Sequence, residues 1–260
     1  MVERVSPLRK IFIVCNTIIL VILVVACFLP LLNLAAKSLS NSAAVSANLV
    51  LFTPRGFNVE SYILIMNNAR FQRAFLIGVS RTIIGTAINM VLVTLTAYVL
   101  SQEASSLKGR NFLMWFFIVP MLFSGGLIPT YLVIKNVGLM DSFWSLVIPT
   151  AVQIPNVILM MNFFRNLPKS LSEAAMLDGA SHVRILLQIY IPISLASIAT
   201  IVLFSMVFHW NSWFDGMIYI KMPENQPLQT YIHNIATIGL NIRKLIADGN
   251  FRALEAASNE

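Results

Sequence analysis

Charge is scarce in this chain. Asp, Glu, Lys and Arg together make up 11% of its 260 residues, against about 25% in an ordinary water-soluble domain. With 57% hydrophobic residues and a mean hydropathy of +0.77, that deficit excludes a typical soluble fold. Cysteine is nearly absent: Cys15 and Cys27 stand 12 positions apart in one apolar segment, roughly 18 Å along a helix, too far to bridge. Neither has metal-ligand spacing, and both read as small hydrophobes. His209 is a lone histidine without ligand-spaced partners, so no metal site is expected. The sequence holds no G-x-x-x-x-G-K-[ST], HExxH or GxSxG motif and no paired intramembrane carboxylates, so a P-loop ATPase, zinc protease or serine hydrolase is not encoded here. Long Lys/Arg runs and aromatic RNA-binding patterns are also missing. The net charge of +7 therefore points to loops beside anionic lipid headgroups, with no nucleic-acid partner. No internal repeat indicates an inverted-repeat carrier.

Long uncharged runs are what the sequence does contain. Ile11 to Leu34, Thr82 to Leu100, Asn111 to Ile134, Ser142 to Phe164 and Ile185 to Phe214 are free of Asp, Glu, Lys and Arg, and each is about the length that crosses a bilayer. The first follows Arg4, Arg9 and Lys10 as a signal peptide would. Its 24 uncharged residues exceed the apolar core of about 7–15 residues in a cleaved signal, so it is expected to remain as an anchor. A cytoplasmic N-terminus places those basic residues, Lys108, Arg110, Arg165, Lys169 and Arg184 on the inner face. Lys37, Arg55, Arg70 and Lys135 are spread more thinly over the other face. Arg73 and Arg81, near the outer end of the second span, are expected to snorkel. Pro120, Gly125, Gly126 and Pro129 interrupt the third span, and Ser124-Gly125-Gly126 reads as a true break. Pro149 and Pro155 punctuate the fourth, and Pro192 opens the fifth. Asn89 and Gln153 read as interhelical hydrogen-bonders. After Phe214 the longest uncharged run, Asn225 to Ile242, is too rich in Asn and Gln to be a convincing span. The last ten residues, Phe251 to Glu260, read as amphipathic.

The most informative stretch lies between the fourth and fifth spans: Leu167-Pro168-Lys169-Ser170-Leu171-Ser172-Glu173-Ala174-Ala175-Met176-Leu177-Asp178-Gly179-Ala180-Ser181, continuing to Ile191-Pro192. Ser170 with Glu173 three residues on forms a capping-box pattern, and Gly179 suits a helix C′ position, so a first short helix is predicted from about Leu171 to Asp178. Ser181 can cap a second helix that changes character at Pro192. The result is a helix, glycine, helix elbow whose small Ala174 and Ala175 let another backbone approach. Glu173 can offer its carboxylate to a basic partner, or serve only the capping box.

Glu173-Ala174-Ala175, three residues, Gly179, nine residues, Ile189, one residue, Ile191-Pro192 resembles the EAA loop of ABC-importer permeases, with Ile-Pro where Leu-Pro is usual. The resemblance extends from the first span to the fifth. It is nearest the carbohydrate, maltose-permease-like family and its poly- and oligosaccharide branch, through Phe123 to Tyr131, Asp178-Gly179-Ala180-Ser181 and His209-Trp210-Asn211-Ser212-Trp213-Phe214. It implies an all-α membrane protein with a type I ABC-importer transmembrane fold, five spans visible of an expected six. The spans would lie at about 11–34, 74–100, 111–134, 142–164 and 190–212. Residues 167–191 would form the cytoplasmic coupling loop, and 35–72 and 213–260 the extracytoplasmic segments. The absent sixth span implies an incomplete sequence or a partner that covers the gap.

The same resemblance implies a second permease, an ATPase dimer below that carries ATP and Mg, and a solute-binding protein above that meets residues 36–72 near Phe52, Arg55 and Tyr62. The chain would need no cofactor of its own and would sit, multi-pass, in the bacterial cytoplasmic membrane. Glu173, Ala174, Ala175, Asp178, Gly179 and Ala180 would couple it to the ATPase. Trp210, Asn211, Trp213, Asp215 and Tyr219 combine aromatic faces, an amide and a carboxylate, the groups that bind sugar rings and hydroxyls. They also suit the interfacial aromatic belt of any membrane protein. An importer for a non-sugar solute, a secondary carrier and a scaffold are the rival readings. The carrier is disfavoured because the span cores read as almost free of ionisable residues.

Overall fold

The computed structural model describes residues 7–103, 107–123 and 125–247. Arg4, Ser124 and the 251–260 stretch lie outside the described residues. The chain divides into two compact units, Met1–Ala69 and Arg70–Glu260.

The first unit is built on α1 (Pro7–Ser38), 32 residues that continue through Pro30. At 1.5 Å per residue such a helix exceeds the bilayer core of about 30 Å, and none of the residues in its most apolar stretch is buried. Lipid is the environment that suits them. Two short helices follow, α2 (Ser42–Ser46) and α3 (Glu60–Met66). Asn41 caps α2 by accepting from the Ala43 amide at 3.1 Å, and the Ser38 and Tyr62 hydroxyls meet at 2.8 Å.

The second unit starts with most of α4 (Ala69–Ser101). This helix begins earlier than the predicted position 74, because the arginines that end the uncharged run do not oppose helix formation. Its buried face repeats at three- and four-residue spacing through Gly78, Arg81, Gly85, Asn89, Val93 and Ala97. Small residues there let neighbouring helices approach closely. Arg81 is fully buried, which corrects the snorkelling expectation: it turns inward to a carboxylate instead of outward to water. Asn89 meets its expectation, donating to the Ala151 carbonyl at 3.0 Å and accepting from Ser205 Oγ at 2.9 Å. The Gln153 side chain accepts from its local neighbour Asn156, at 2.7 Å, and not from another span among the described residues. Asn89→Leu strands both partners and is expected to cost about 1–2 kcal/mol, read as a lower melting temperature of the purified protein in detergent. An unchanged melting temperature would remove Asn89 from the stabilising contacts.

The other spans are interrupted. The third comprises α5 (Arg110–Leu122) and α6 (Leu127–Asn136), with Gly126 in left-handed backbone at φ +84° between them, so the predicted break is present. In the fourth, two 3₁₀ turns, Phe143–Leu146 and Ile148–Thr150, meet α7 (Ile154–Arg165) at 45°. Pro149 and Pro155 stand in the opening positions of their elements, where a missing N–H costs nothing. After α8 (Lys169–Leu177), the chain runs through α9 (His182–Ile185), a π turn over Leu186–Tyr190 and α10 (Ile191–Ile193), then bends by 86° into α11 (Leu195–Asn211). Pro192 has no N–H to donate to residue 188, and the wider π turn sits directly before it. Among the described residues two continuous helices have the length and apolarity of spans, and with each of three bent pairs taken as one span the number reaches the five expected.

After α11 come α12 (Phe214–Tyr219) and α13 (Leu228–Ala247). The 20 residues of α13 form a regular helix that does not meet the length-and-apolarity measure of a span. The predicted outer segment 213–260 is therefore helical over much of its described part. The core joins Val93, Ala97 and Tyr98 of α4 to Val157, Met160 and Phe164 of α7, Ile185 and Tyr190 of the elbow, and Ile201 of α11.

Candidate functional site

The elbow is the first candidate. Its first helix starts at Lys169 after Pro168, with no side-chain cap. The Ser170–Glu173 capping box is therefore not formed: the helix begins before Ser170, which falls inside the first turn and cannot cap it. Glu173 is exposed and free of that local duty. The C-terminal end follows expectation. Gly179 takes φ +79°, its amide donates to Met176 O at 3.0 Å and the Ala180 amide to Ala175 O at 2.9 Å. These two bonds are a Schellman motif, which needs a left-handed residue at C′. Ser181 then caps α9, accepting from the Arg184 amide at 3.4 Å.

The six elbow residues singled out in the sequence divide by face. Glu173, Ala174, Asp178 and Gly179 are exposed, whereas Ala175 and Ala180 pack on the core. One side of the elbow is thus anchored and the other is open. Anchoring runs through Tyr190, whose ring meets Tyr98 at 5.1 Å and Phe164 at 5.3 Å, both edge to face. Those geometries favour aromatic pairs beyond their area. Tyr98 also shares a hydrogen bond of 3.1 Å with His182 Nδ1. Sequence reading missed Tyr190; its only signal was an aromatic residue two positions before Pro192.

Beside the elbow, a cavity of about 640 Å³ is lined by Glu103, Arg110, Arg165, Lys169, Glu173 and Tyr190, among others. Lys169 pairs with Glu103 across it, and that hydrogen bond raises the Lys169 ammonium above its ordinary value, keeping it cationic. Arg110 Nε donates to the Leu100 carbonyl at 3.0 Å, placing positive charge at the C-terminal end of α4, where the helix dipole favours it.

The second candidate is the bend between α11 and α12. Trp210 is half-buried, edge-on to Phe75 at 6.4 Å. Asn211 is exposed, and Trp213 stacks on His233 with ring centroids 3.8 Å apart. Asp215 turns inward to an ion pair with Arg81, and Tyr219 is buried. Of the five residues singled out, Trp210, Asn211 and Trp213 reach the surface side of the bend, while Asp215 and Tyr219 support it from behind. His209 is buried with its ring on Gly85. Arg81, His209 and Asp215 are an ionisable cluster whose members the sequence reading named singly but did not bring together, because Arg81 stands at the edge of one uncharged run and Asp215 beyond the end of another. Among the described residues no group of three His, Cys, Asp or Glu side chains could hold a metal ion.

A bundle of broken apolar helices carrying a glycine-ended elbow is the architecture of a transport permease. The family described as binding-protein-dependent transport system inner membrane component matches residues 103–214, from the turn after α4 through the elbow to the start of α12. This chain belongs to that family and is an integral membrane protein. It is 38% identical to the polygalacturonan/rhamnogalacturonan transport system permease protein YtcP of Bacillus subtilis, over 82% of this chain and 73% of that one. Protein LplC of Bacillus subtilis is 34% identical over 88% of this chain and 77% of its own length. A bacterial ABC transporter involved in the import of the acidic polysaccharide alginate, known from a crystal structure, superposes with a TM-score of 0.83 at 29% identity, covering 88% of this chain and 81% of the other. The ABC-importer permease fold implied by the elbow sequence is the fold of this chain.

Proposed function

We propose that this chain is one permease half of an ATP-driven importer of oligo- or polysaccharides, with uronic-acid-rich glycans as the substrate class. The observation that carries the reading is the elbow, exposed through Glu173 and Gly179 on one side and locked into the core by Tyr190 on the other. Such a part transmits movement. The N-terminus and the elbow face the cytoplasm, and residues 35–72 and the α11–α12 bend face outward. An ATPase dimer that binds ATP and Mg holds this elbow and the one on a second permease, and a solute-binding protein delivers the glycan from outside. Closure of the ATPases favours the outward-open state by its differential contacts with the elbows; a partner that bound both states equally would shift nothing. The glycan class comes from the relatives, whose names specify polygalacturonan and rhamnogalacturonan transport and alginate import. Trp210, Asn211 and Trp213 supply aromatic faces and an amide suited to sugars.

A pull-down in mild detergent tests the assembly. Wild-type protein is expected to retain a P-loop ATPase and a second permease, identified by mass, and Glu173→Arg to lose the ATPase while keeping the permease. A chain that purifies alone would return the carrier or scaffold reading. Trp210→Ala is expected to lower uptake of oligogalacturonate several-fold at equal protein level; normal uptake would leave Trp210 as an interfacial anchor only.

A further inference from the structure

Arg81 is buried in α4, and a guanidinium taken out of water must have its donors met. Nη1 donates to the Ser212 carbonyl at 3.0 Å and to Asp215 Oδ1 at 3.1 Å, and Nη2 pairs with Asp215 Oδ2. The Arg81–Asp215 pair is bidentate, two nitrogens to two oxygens. The two acceptors flank Trp213: Ser212 ends α11 in extended backbone, and Asp215 lies in the first turn of α12. A single side chain of α4 thus staples the break between two helices. The break is held from α13 as well, where Thr230 Oγ1 donates to the Trp213 carbonyl at 2.6 Å. The fork meets both Nη groups of Arg81, while among the described residues Arg81 Nε and the two ring nitrogens of His209 are buried with no hydrogen-bond partner, so the neighbourhood is polar beyond what packing alone requires.

Stability is a weak reason for such a pair. Replacing a buried ion pair by apolar residues of similar volume is often neutral or stabilising. What a bidentate fork supplies and a greasy contact does not is a fixed distance and angle.

We propose that Arg81 is a positioning residue for glycan selectivity: by gripping Ser212 and Asp215 together it sets the direction in which Trp213, with Trp210 and Asn211 just before it, meets a passing sugar chain. Arg81 itself touches no sugar. The inference rests on the pathway reading of that cluster, and its test separates the two.

The test uses the whole complex in proteoliposomes, with the binding protein saturated by trigalacturonate or by hexagalacturonate so that differences arise in the permease. The measured quantity is the ratio of maximal uptake of the two lengths per assembled complex. Arg81→Met with Asp215→Leu removes the fork without stranding a charge and is expected to shift that ratio at least fivefold. Asp215→Glu, which keeps a carboxylate for the fork, is expected to hold it within twofold of wild type. Trp213→Ala is the control for the pathway and is expected to shift the same ratio. A shift with Trp213→Ala but none with the double variant overturns the positioning role and leaves the pathway reading standing. No shift with either overturns both. Should the double variant fail to assemble, Arg81→Lys, which keeps the charge and loses the fork, is scored on the same ratio, and an unchanged value overturns the proposal.

Discussion

Gly179→Leu is expected to cut ATP-driven uptake by about five- to thirty-fold, because it forces a Cβ into left-handed backbone at a cost of roughly 1–2 kcal/mol. The residue stands at φ +79°, and among the described residues no atom beyond its chain neighbours lies within 4 Å of where its Cβ would be. Within this chain the penalty is therefore backbone strain and not a clash. Strain is relieved by unwinding the Schellman turn, which releases the carbonyls of Ala175 and Met176 and swings α8 away from α9. Gly179→Asn separates strain from partner contact, since Asn tolerates the left-handed region. Uptake near wild type with Asn and strongly reduced with Leu identifies the turn as the requirement. Equal loss with both identifies close approach of the ATPase. Full uptake with both would sink the elbow as a coupling element. Uptake into proteoliposomes, normalised to the co-purified ATPase, decides among the three.

The elbow was legible because its signals are local. Gly179 and Ser181 act through backbone conformation and capping within a few residues, and a sequence displays such things directly. Ser170 and Glu173 show where local reading overreaches: the pattern fits a capping box, but Pro168 starts the helix two residues too early for Ser170 to cap it. Pro192 was read as the point where the helix changes, and the π turn before it adds detail that no pattern encodes. Arg81 failed for a different reason. Its partners Ser212 and Asp215 are more than 130 positions away, and nothing local distinguishes an arginine that snorkels from one that turns inward. The broken third span was visible in Gly125, Gly126 and Pro129. The helical character of 228–247 was hidden by the polar residues that make it a poor span.

Tyr190→Ala is expected to leave the ATPase bound while reducing glycan imported per ATP hydrolysed by about tenfold. The ring is nearly fully buried between Tyr98 of α4 and Phe164 of α7, and removing a buried aromatic ring costs roughly 3–5 kcal/mol, part of it for the cavity left behind. That loss falls on the joint between the elbow and the two helices it packs against. The face bearing Glu173 and Gly179 is untouched, so docking persists while the elbow swivels without driving α4 and α7. Tyr190→Phe retains both edge-to-face contacts and is expected to couple nearly normally. Tyr190→Leu refills part of the cavity but offers no ring, and should fall between. Uptake and ATP hydrolysis measured on the same proteoliposomes give the coupling ratio. A ratio that stays at the wild-type value in Tyr190→Ala would mean that force reaches the bundle by another route, the Lys169–Glu103 pair from α8 to the end of α4 being the one to test next.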